Sequence, residues 1–574
     1  MDSSRSRITT LGVVFLLLAG AVVVRLGYLQ ILRADHFSVL ATQSQSRKFE
    51  IPAQRGEIFM QDRGEATAVA MNRNLKTLYA DTRYIYDQTR VVRKLKDILG
   101  TDFTRKLSGA DGYTLLKEEV PYETAQKIKQ LGLSGIGLSD NYTRVYPEGT
   151  LGARLLGFVN QDGEGQYGVE GGLDEALSGT TGFLAAETDA GGIPIPSEEN
   201  VEKQARDGKD VVLTIDRNIQ DFAESALKRG AQETGARSGH VVIMDPNSGR
   251  VLAMANYPTY NPNTYQEVTD YQRFRNVTVS QKFEAGSVFK PFTMAAGLDS
   301  GSVTPEESYY DRGFVQVGEH KITNALGGSE PRSMREVITN SVNTGAIYVL
   351  KQLGEQSGSA GISKANKQTL HNYFTDRFHL TDGTGVKLPG EPSLSMDAPG
   401  EVSNVNYANM AFGQGITTTM LRMTSSMSAV INGGTLYKPQ VVDFYRTPDQ
   451  EAGRDVSTQV TDDSVVSEKT SQQIRAMMET VVERGGGFGA RIDGYRVGGK
   501  TGTAQLPHPD GGYYEDKEIG TFIGFAPVED PQYIMMVRMD QPTTPGFAGS
   551  VAAGPVFGDI MEQLLRYKGV PPAQ

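Results

Sequence analysis

Cysteine is absent from this chain of 574 residues. Without it, the chain can form no disulfide bond, no cysteine nucleophile and no thiolate metal site. Histidine is scarce, and the six histidines form neither an HxH nor an HExxH pattern, so the sequence predicts no metal site. Positive charge is in deficit, because 57 Lys and Arg stand against 68 Asp and Glu. The net charge of −11 argues against a nucleic-acid partner, since binding of phosphates requires a basic face.

Length and composition set limits on the architecture. A chain of 574 residues exceeds one ordinary domain, so two or three folded units are expected. Apolar residues make up 38% of the chain and charged residues 22%, which provides enough apolar surface for hydrophobic cores. The same balance indicates neither a disordered chain nor a membrane protein with many spans.

The N-terminus contains an uncharged apolar run from Ile8 to Val24, and the apolar character continues beyond Arg25. About 20 apolar helical residues cross a bilayer, and an arginine near the end of such a helix can reach the interface. The sequence Ala-Gly-Ala at 19–21 resembles a signal-peptidase site, so a cleaved signal peptide is the alternative. Cleavage would leave an apolar new terminus, which favours an uncleaved single-pass anchor. The basic residues before it predict that the bulk of the chain lies outside the cytoplasm.

Periodicity beyond the anchor predicts a mixed α/β chain. Residues 211–216 (VVLTID) form a predicted strand, and an amphipathic helix follows over 217–232. Apolar runs on both sides of Pro-Asn-Ser-Gly predict a β-hairpin at 240–255, and 520–539 repeats the strand–turn–strand pattern. A final helix is predicted over 554–567. Strands near both ends of this region predict one sheet to which both ends contribute.

The first candidate site segment is Ser287-Val288-Phe289-Lys290, an S-x-x-K pattern. A helix that begins near Gly286 places Ser287 and Lys290 on one face, at i and i+3. A lysine amine can take the proton of a serine hydroxyl if burial lowers its pKa. The free N–H groups at the start of a helix suit an oxyanion. The pattern alone is weak, because most serines at helix starts are ordinary caps.

The second segment is Ser341-Val342-Asn343, which lies between two apolar stretches. If the segment is a turn, its hydroxyl and its amide can both point into a cleft. There the serine can pass a proton to a leaving amine, and the amide can hold the lysine or the substrate. In isolation this segment would also be read as an ordinary turn.

The third segment is GGKTGTA at 498–504. As an edge strand it offers backbone pairing to an extended peptide. Lys500, with Thr501 or Thr503, offers charge and hydroxyls to a carboxylate. A phosphate-binding P-loop requires a strand followed by a helix, and the sequence does not predict that context here.

The order and spacing of the three segments carry the assignment. S-x-x-K, then S-x-N about fifty residues on, then K-T-G roughly a hundred and fifty residues later is the pattern of penicillin-binding proteins and class A β-lactamases. Residues 211–570 resemble the transpeptidase domain of a class B penicillin-binding protein, with further similar segments at LTID, MDPNSGRVLAMA, YPTYNPN, FGQGITTTMLRM, AVINGG and FIGFAPVEDP. The upstream region resembles the pedestal of that family in short motifs: Arg55-Gly56-Glu57-Ile58, Arg144 with Tyr146-Pro147, and Tyr167-Gly168-Val169-Glu170.

The resemblance implies an α+β fold in three parts. Residues 1–34 would be a cytoplasmic stub and transmembrane anchor. Residues 35–205 would be an elongated pedestal of mixed α/β structure, of the penicillin-binding protein dimerisation type. Residues 206–574 would be a transpeptidase domain, with an antiparallel sheet flanked by helices as in β-lactamases. A glycosyltransferase domain has no room, because the region before residue 205 matches the pedestal.

The resemblance also implies roles for the site residues. Ser287 would be the acyl nucleophile and Lys290 its base, while Ser341 and Asn343 would relay protons and position the donor peptide. The terminal carboxylate of the donor, or a β-lactam in its place, would bind Lys500, Thr501, Gly502 and Thr503. The backbone N–H groups of Ser287 and Thr503 would form the oxyanion hole. The family needs no metal and no cofactor.

The implied activity is peptidoglycan D,D-transpeptidation through an acyl-serine intermediate, inhibited by β-lactams, with a carboxypeptidase side activity. The expected partners are stem peptides, β-lactam antibiotics, the bacterial cell membrane, and a SEDS-type glycan polymerase with other division or elongation proteins. Nucleic acid is not expected. The segment GQGITTTMLRM and the stretch from KTGTAQ to FIGFAP favour septal synthesis in cell division over the elongation type.

Two departures from the family and three alternatives bear on this interpretation. The family commonly has Tyr and Pro where this chain has Phe283 and Ala285, and FMQDRGE adds residues after the first pedestal motif. These departures concern the subfamily and not the catalytic groups. A β-lactamase is usually near half this length, and a β-lactam sensor usually has several membrane spans. The intact Ser287, Lys290 and Lys500 argue against an inactive scaffold.

Overall fold

The computed structural model of the protein describes residues 2–34, 46–110, 112–187, 201–325, 327–354, 361–447, 454–508 and 512–573. The chain divides into two compact units. The first unit comprises Met1–Arg55 and Ser178–Gly208, and the second comprises Gly56–Leu177 and Lys209–Gln574. All three candidate site segments lie in the second unit.

The first unit contains the long apolar helix and a small sheet. Helix α1 (Asp2–Gly27) continues as a π-helical turn, Tyr28–Leu32. Residues Arg7–Leu32 are long and apolar enough to cross a membrane, and none of this span is buried in the protein. It is therefore a candidate membrane span, as the sequence predicted. The sheet pairs its strands antiparallel in the order β1-β8-β9, with bounds Ser46–Ile51, Gly182–Glu187 and Val201–Lys203.

A seven-stranded sheet begins the second unit. Its strands are β2 (Ile58–Asp62), β3 (Glu65–Asp81), β4 (Tyr113–Pro121), β5 (Ile136–Val145), β10 (Asp210–Asp216), β18 (Val442–Arg446) and β19 (Arg454–Asp455). The strand order is β19-β18-β10-β2-β3-β4, and β5 also pairs with β3. The strand predicted at 211–216 is confirmed as β10, which runs parallel to β2 and antiparallel to β18. The sheet thus joins strands β2 to β5, which lie in the pedestal-like region, to β10 and β18. Strand β18 begins more than two hundred residues after the end of β10.

Three helices cover one end of this sheet: α2 (Gln88–Leu99), α3 (Thr104–Ser108) and α4 (Tyr122–Gln130). Helix α2 begins after Asp87, whose carboxylate accepts the N–H of Arg90, and ends at Gly100 in the left-handed conformation. Its buried side chains Val91 and Leu95 pack into a core with apolar residues of the sheet and of the other two helices. Short helices α5 (Ala153–Leu156), α6 (Gly168–Gly172) and α7 (Asp174–Ser178) follow.

The central sheet of the second unit has five antiparallel strands. They are β11 (Ser238–Met244), β12 (Val251–Tyr257), β21 (Gly498–Pro507), β22 (Tyr513–Ala526) and β23 (Tyr533–Asp540), in the order β12-β11-β23-β22-β21. Both predicted hairpins are confirmed. The pairing of β11 with β23 joins strands from the two ends of the region, as predicted, and β21 is the predicted edge strand.

Helices cover both faces of the central sheet. Strand β11 alternates its side chains: Val241 and Ile243 pack with α8 (Arg217–Thr234) and α17 (Gly554–Tyr567), whereas Val242 and Met244 belong to the larger core on the opposite face. Both helices were predicted from the sequence. The other helices are α9 (Val277–Ser280), α10 (Lys290–Asp299), α11 (Met334–Thr339), α12 (Asn343–Gln352), α13 (Lys364–Asn372), α14 (Asn404–Met410), α15 (Met420–Ile431) and α16 (Glu468–Arg484).

The described residues also form four small two-stranded sheets. They pair β6 with β7 (Phe158–Val159, Gly165–Gln166), β13 with β16 (Ser308–Asp311, Glu330–Ser333), β14 with β15 (Phe314–Val317, His320–Thr323) and β17 with β20 (Leu436–Tyr437, Val460–Asp462). The predicted α+β class, with an antiparallel sheet flanked by helices, is confirmed.

A buried ion pair joins two of the pedestal motifs, the one that contains Arg144 and the one that contains Glu170. Arg144 donates to the carboxylate of Glu170 at 2.7 Å, and their side chains are 5% and 0% exposed. The hydroxyl of Tyr146 donates to the same oxygen at 3.2 Å.

Replacing Glu170 by Ala leaves a buried guanidinium without its carboxylate. We expect Glu170→Ala to lower the free energy of unfolding by about 3–5 kcal/mol, measured by urea denaturation in detergent.

The exposed Glu175 provides the matched control, since Glu175→Ala removes the same charge from the surface of the same region. A Glu170→Ala variant that unfolds at the same urea concentration as Glu175→Ala would show that the pair does not stabilise the pedestal.

Candidate active site

The nucleophile candidate lies on a tight turn that opens helix α10. Residues Gly286–Phe289 form a 3-10 turn, and the α-helix begins at Lys290. Gly286 has a φ of +60°, and its N–H donates to the carbonyl of Gly413 at 3.2 Å. A Cβ on Gly286 would lie 3.0 Å from the carbonyl oxygen of Thr503. The turn therefore packs directly against the third site segment, and the helix predicted near Gly286 is confirmed.

Lys290 is buried beneath the nucleophile candidate. Its side chain points back along the turn, so that Nζ lies 3.0 Å from Ser287 Oγ. The same nitrogen donates to the carbonyl of Ser341 at 2.5 Å and lies 3.1 Å from Ser341 Oγ. The residue is only 1% exposed. Burial, and then the charge of Lys500, hold the pKa of the Lys290 amine well below its ordinary value of 10.5.

The second site segment is a turn, as predicted, between helices α11 and α12. Ser341 has a φ of +57°, a conformation that costs energy for a residue with a Cβ and is typical of functional sites. The turn places the hydroxyl of Ser341 next to the amines of both Lys290 and Lys500. Asn343 lines the same cleft, and its side-chain amide donates to the carbonyl of Thr323 at 3.0 Å. Within the described part of the chain, no hydrogen bond joins Asn343 to either lysine.

The third site segment brings a second buried lysine to the same hydroxyl. Lys500 is 0% exposed, and its Nζ lies 3.0 Å from Ser341 Oγ and 2.9 Å from the carbonyl of Thr501. Burial lowers the pKa of Lys500 to about 7. Ser287, Lys290, Ser341 and Lys500 therefore form one continuous chain of hydrogen-bonding groups.

Edge strand β21 forms one wall of the cleft. A Cβ on Gly502 would lie 2.4 Å from Thr521 Oγ1 and 2.7 Å from the carbonyl oxygen of Ala285, so only glycine permits this close approach. Thr501 and Thr503 both line the cleft. The hydroxyl oxygen of Thr503 accepts the N–H of Gly549 at 3.2 Å.

The segment GYRVGGKT at 494–501 also fits the consensus of a P-loop. In the structure Lys500 and Thr501 lie within a strand that continues to Pro507, and the next element among the described residues is strand β22, not a helix. The amine of Lys500 is buried against protein groups. A phosphate site of the P-loop kind is therefore excluded at this segment.

The cleft has a volume of about 660 Å³, and it brings together predicted residues from all three segments: Ser287, Ser341, Asn343, Thr501 and Thr503. Lys290 and Lys500 lie beneath its floor. The cleft also contains residues that the sequence did not single out: Arg332, Gln414, Arg484, Phe547 and Ser550. Gln414 belongs to the family-like segment FGQGITTTMLRM, which could have indicated it. The others lie in segments without a spacing pattern.

Two family models match the chain. Residues 239–562 match the penicillin binding protein transpeptidase domain. Residues 50–213 match the penicillin-binding protein dimerisation domain. The first match contains all three site segments, and the second covers the pedestal motifs and most of β10.

Curated relatives and solved structures agree with these models. The chain is 33% identical to the stage V sporulation protein D of Bacillus subtilis, over 97% of this chain and 86% of that protein. It is 31% identical to the probable peptidoglycan D,D-transpeptidase PbpC of Pseudomonas aeruginosa, over 97% and 94%. The crystal structure of penicillin binding protein 3 from Mycobacterium tuberculosis, complexed with aztreonam, is similar at a TM-score of 0.71 and 26% identity, covering 92% of this chain and 98% of that one.

The lowered pKa of Lys500 predicts a pH-dependent stability. Between pH 7 and 10.5 the unfolded chain keeps this proton while the folded chain does not, so the unfolding free energy contributed by Lys500 rises with pH. Below pH 7 Lys500 is protonated in both states, so the folded chain bears the full energetic cost of burying the charged amine. We expect the difference in unfolding free energy, wild type minus Lys500→Met, to increase by about 1.4 kcal/mol per pH unit in that window.

The measurement is urea denaturation in detergent between pH 7.5 and 9.5. Lys469→Met, on the exposed side of helix α16, is the matched control for loss of a lysine. A difference for Lys500→Met that stays constant across the window would contradict the lowered pKa.

Proposed function

Because the chain belongs to the class B penicillin-binding protein family, we propose that it is a peptidoglycan D,D-transpeptidase that works through an acyl-serine at Ser287. The single observation that carries this proposal is the chain of contacts from Ser287 through Lys290 and Ser341 to Lys500 at the floor of the cleft. A serine beside a buried amine whose pKa is lowered is an activated nucleophile.

The first half-reaction is acylation by the donor peptide, which ends in D-Ala-D-Ala. The Lys290 amine accepts the hydroxyl proton of Ser287 while Oγ attacks the carbonyl carbon of the penultimate D-alanine. An ester bond forms and the amide C–N bond breaks. The proton travels through Ser341 to the nitrogen of the departing D-alanine. The hydroxyl of Ser341 suits this transfer, because it lies within 3.1 Å of both lysine amines.

The second half-reaction transfers the acyl group to an amine of a neighbouring stem peptide. The acceptor nitrogen attacks the ester carbonyl and loses a proton to the lysine–serine network. The amide cross-link forms, the ester C–O bond breaks, and Ser287 Oγ recovers a proton. Water in place of the amine would give the free acid, which is the carboxypeptidase side activity.

Binding of the donor follows from the edge position of β21. An extended peptide can pair with the free edge of this strand. The hydroxyls of Thr501 and Thr503 hold the terminal carboxylate, and Lys500 acts on it from beneath the floor of the cleft. Gly502 permits the strand to pack closely against Thr521 and the carbonyl of Ala285, which keeps the two threonines in place. The backbone N–H groups of Ser287 and Thr503 form the oxyanion hole. This arrangement is supported by the packing of Gly286 against the carbonyl of Thr503. Asn343 positions the donor from the opposite wall.

We further propose the cellular setting. Residues 1–34 are a single-pass anchor with the catalytic region outside the cytoplasm, 35–205 are the pedestal and 206–574 the transpeptidase domain. Anchor and pedestal contact a membrane glycan polymerase of the SEDS type, and the enzyme acts in septal synthesis.

A second candidate role is wall synthesis during sporulation, which the name of the Bacillus subtilis relative favours. A fluorescent fusion that marks the vegetative septum would support the first role, and one seen only in sporulating cells the second.

The acyl-serine is tested with a fluorescent penicillin. We expect the wild-type chain in detergent to keep the label through a denaturing gel, because the drug acylates Ser287 Oγ, and Ser287→Ala to show no label. Urea denaturation of both proteins provides the control for folding. Rapid release of hydrolysed drug would instead indicate a β-lactamase. A folded wild type without label would contradict the enzyme and favour a scaffold.

The role of Ser341 is tested with two variants that remove the same hydroxyl. Ser341→Ala keeps the strained backbone, whereas Ser341→Gly adopts a φ of +57° without strain. We expect both to slow acylation by the penicillin by about 10²-fold or more, because the proton path is cut. The Gly variant should be the more stable by roughly 1 kcal/mol. If Ser341→Gly is acylated by the penicillin at the wild-type rate, acylation depends on the backbone conformation at residue 341 and not on the hydroxyl.

A further inference from the structure

Ser550 contributes a hydroxyl to the cleft that the family motifs do not include. It is half-buried and lines the cleft together with Thr501 and Thr503. It lies in the π-helical turn Gly549–Ala553, which leads directly into helix α17. Its backbone N–H donates to the carbonyl of Phe547 at 2.9 Å, so the turn is fixed in place. Among the described residues, its side chain has no hydrogen-bond partner.

Gly486 shows how close this hydroxyl is to the third site segment. A Cβ on Gly486 would lie 3.1 Å from Ser550 Oγ and 3.7 Å from Thr501 Oγ1. The two hydroxyl oxygens are therefore no more than about 7 Å apart, and both lie close to the position that a side chain on Gly486 would occupy. Two O–H···O hydrogen bonds of about 2.7 Å, together with the width of a carboxylate, span such a gap.

Thr503 is oriented by the residue that precedes Ser550. The N–H of Gly549 donates to Thr503 Oγ1 at 3.2 Å and so occupies one lone pair of this oxygen. The O–H of Thr503 remains available as a donor. A single backbone turn thus orients the hydroxyl of Thr503 and presents that of Ser550. Donor hydroxyls grouped above a buried lysine suit an anionic ligand.

We propose that Ser550 is a further substrate-binding residue, whose hydroxyl donates to the terminal carboxylate of the donor peptide beside Thr501. This inference rests on the proposed function, because it concerns the ligand that acylates Ser287. It assigns Gly486 a role as well: the absence of its side chain leaves the space between the two hydroxyls open for the carboxylate. Arg484 also lines the cleft; its side chain is 80% exposed and lies 4.0 Å from the carboxylate of Glu483.

The test uses two thioester substrates that acylate the enzyme with the same D-alanyl group. One leaving group ends in a carboxylate and the other in a neutral carboxamide. The preference is the ratio of kcat/KM for the acid to that for the amide. We expect Ser550→Ala to lower this preference about 10-fold, because one hydrogen bond to a charged group is lost. Ser550→Thr, which keeps a hydroxyl, should stay within threefold of the wild type.

Gly486→Ala provides an independent variant, because it leaves both hydroxyls and fills the space between them with a methyl group. It should also lower the preference for the acid. Ser225→Ala, on the exposed face of helix α8, is the matched control for loss of a serine hydroxyl. A merely structural role of Ser550 would lower kcat/KM for both substrates equally and leave the preference unchanged, which would overturn the inference.

Ser287→Ala separates this inference from the proposed function. If Ser287→Ala is inactive on both thioesters and Ser550→Ala keeps the wild-type preference, only the role of Ser550 is wrong. If Ser287→Ala still forms an acyl-enzyme, the proposed function itself is wrong.

Discussion

Two lysine amines are buried around one serine hydroxyl, and the rest of the site depends on this arrangement. Each amine lies within 3.1 Å of Ser341 Oγ, and neither has a carboxylate within salt-bridge distance among the described residues. Burial of an unpaired ammonium is costly, so both pKa values fall. The same energetic penalty that destabilises the folded chain at neutral pH favours the deprotonated form of the amine next to Ser287. A lysine here can therefore act as a base, which an exposed lysine cannot do at that pH.

The fold meets this constraint by bringing three distant segments into contact. Helix α10 presents Lys290 from the core, edge strand β21 presents Lys500, and the turn between α11 and α12 presents Ser341 with a φ of +57°. Glycine at position 502 permits the strand to approach the carbonyl of Ala285, just ahead of the turn that contains Ser287. The strained backbone of Ser341 and the close packing of β21 at Gly502 thus both follow from the need to bring the three segments into contact.

Much of this could be predicted from the sequence, because the relevant signals are local. The S-x-x-K spacing fixes the relation of Ser287 to Lys290 within one turn, and the alternation of apolar residues identifies the strands of the central sheet. Other features arise only from tertiary packing. Strand β3 extends over 17 residues through the polar sequence Asn-Arg-Asn, because β2 pairs with its first part and β5 and β4 both pair with its second part. The hydroxyl of Ser550 comes close to Thr501 through a loop contact that leaves no pattern in the sequence.

The most direct test of the account is the titration of the two buried amines. Lysine labelled with ¹³C at Cε would be incorporated into the full chain in detergent, and the two resonances assigned with Lys290→Met and Lys500→Met. The account predicts that the Lys290 resonance titrates well below 10.5 and that of Lys500 near 7. Titration of both amines near 10.5 would mean that both carry charge at neutral pH, and the proposed activation of Ser287 by Lys290 would be contradicted.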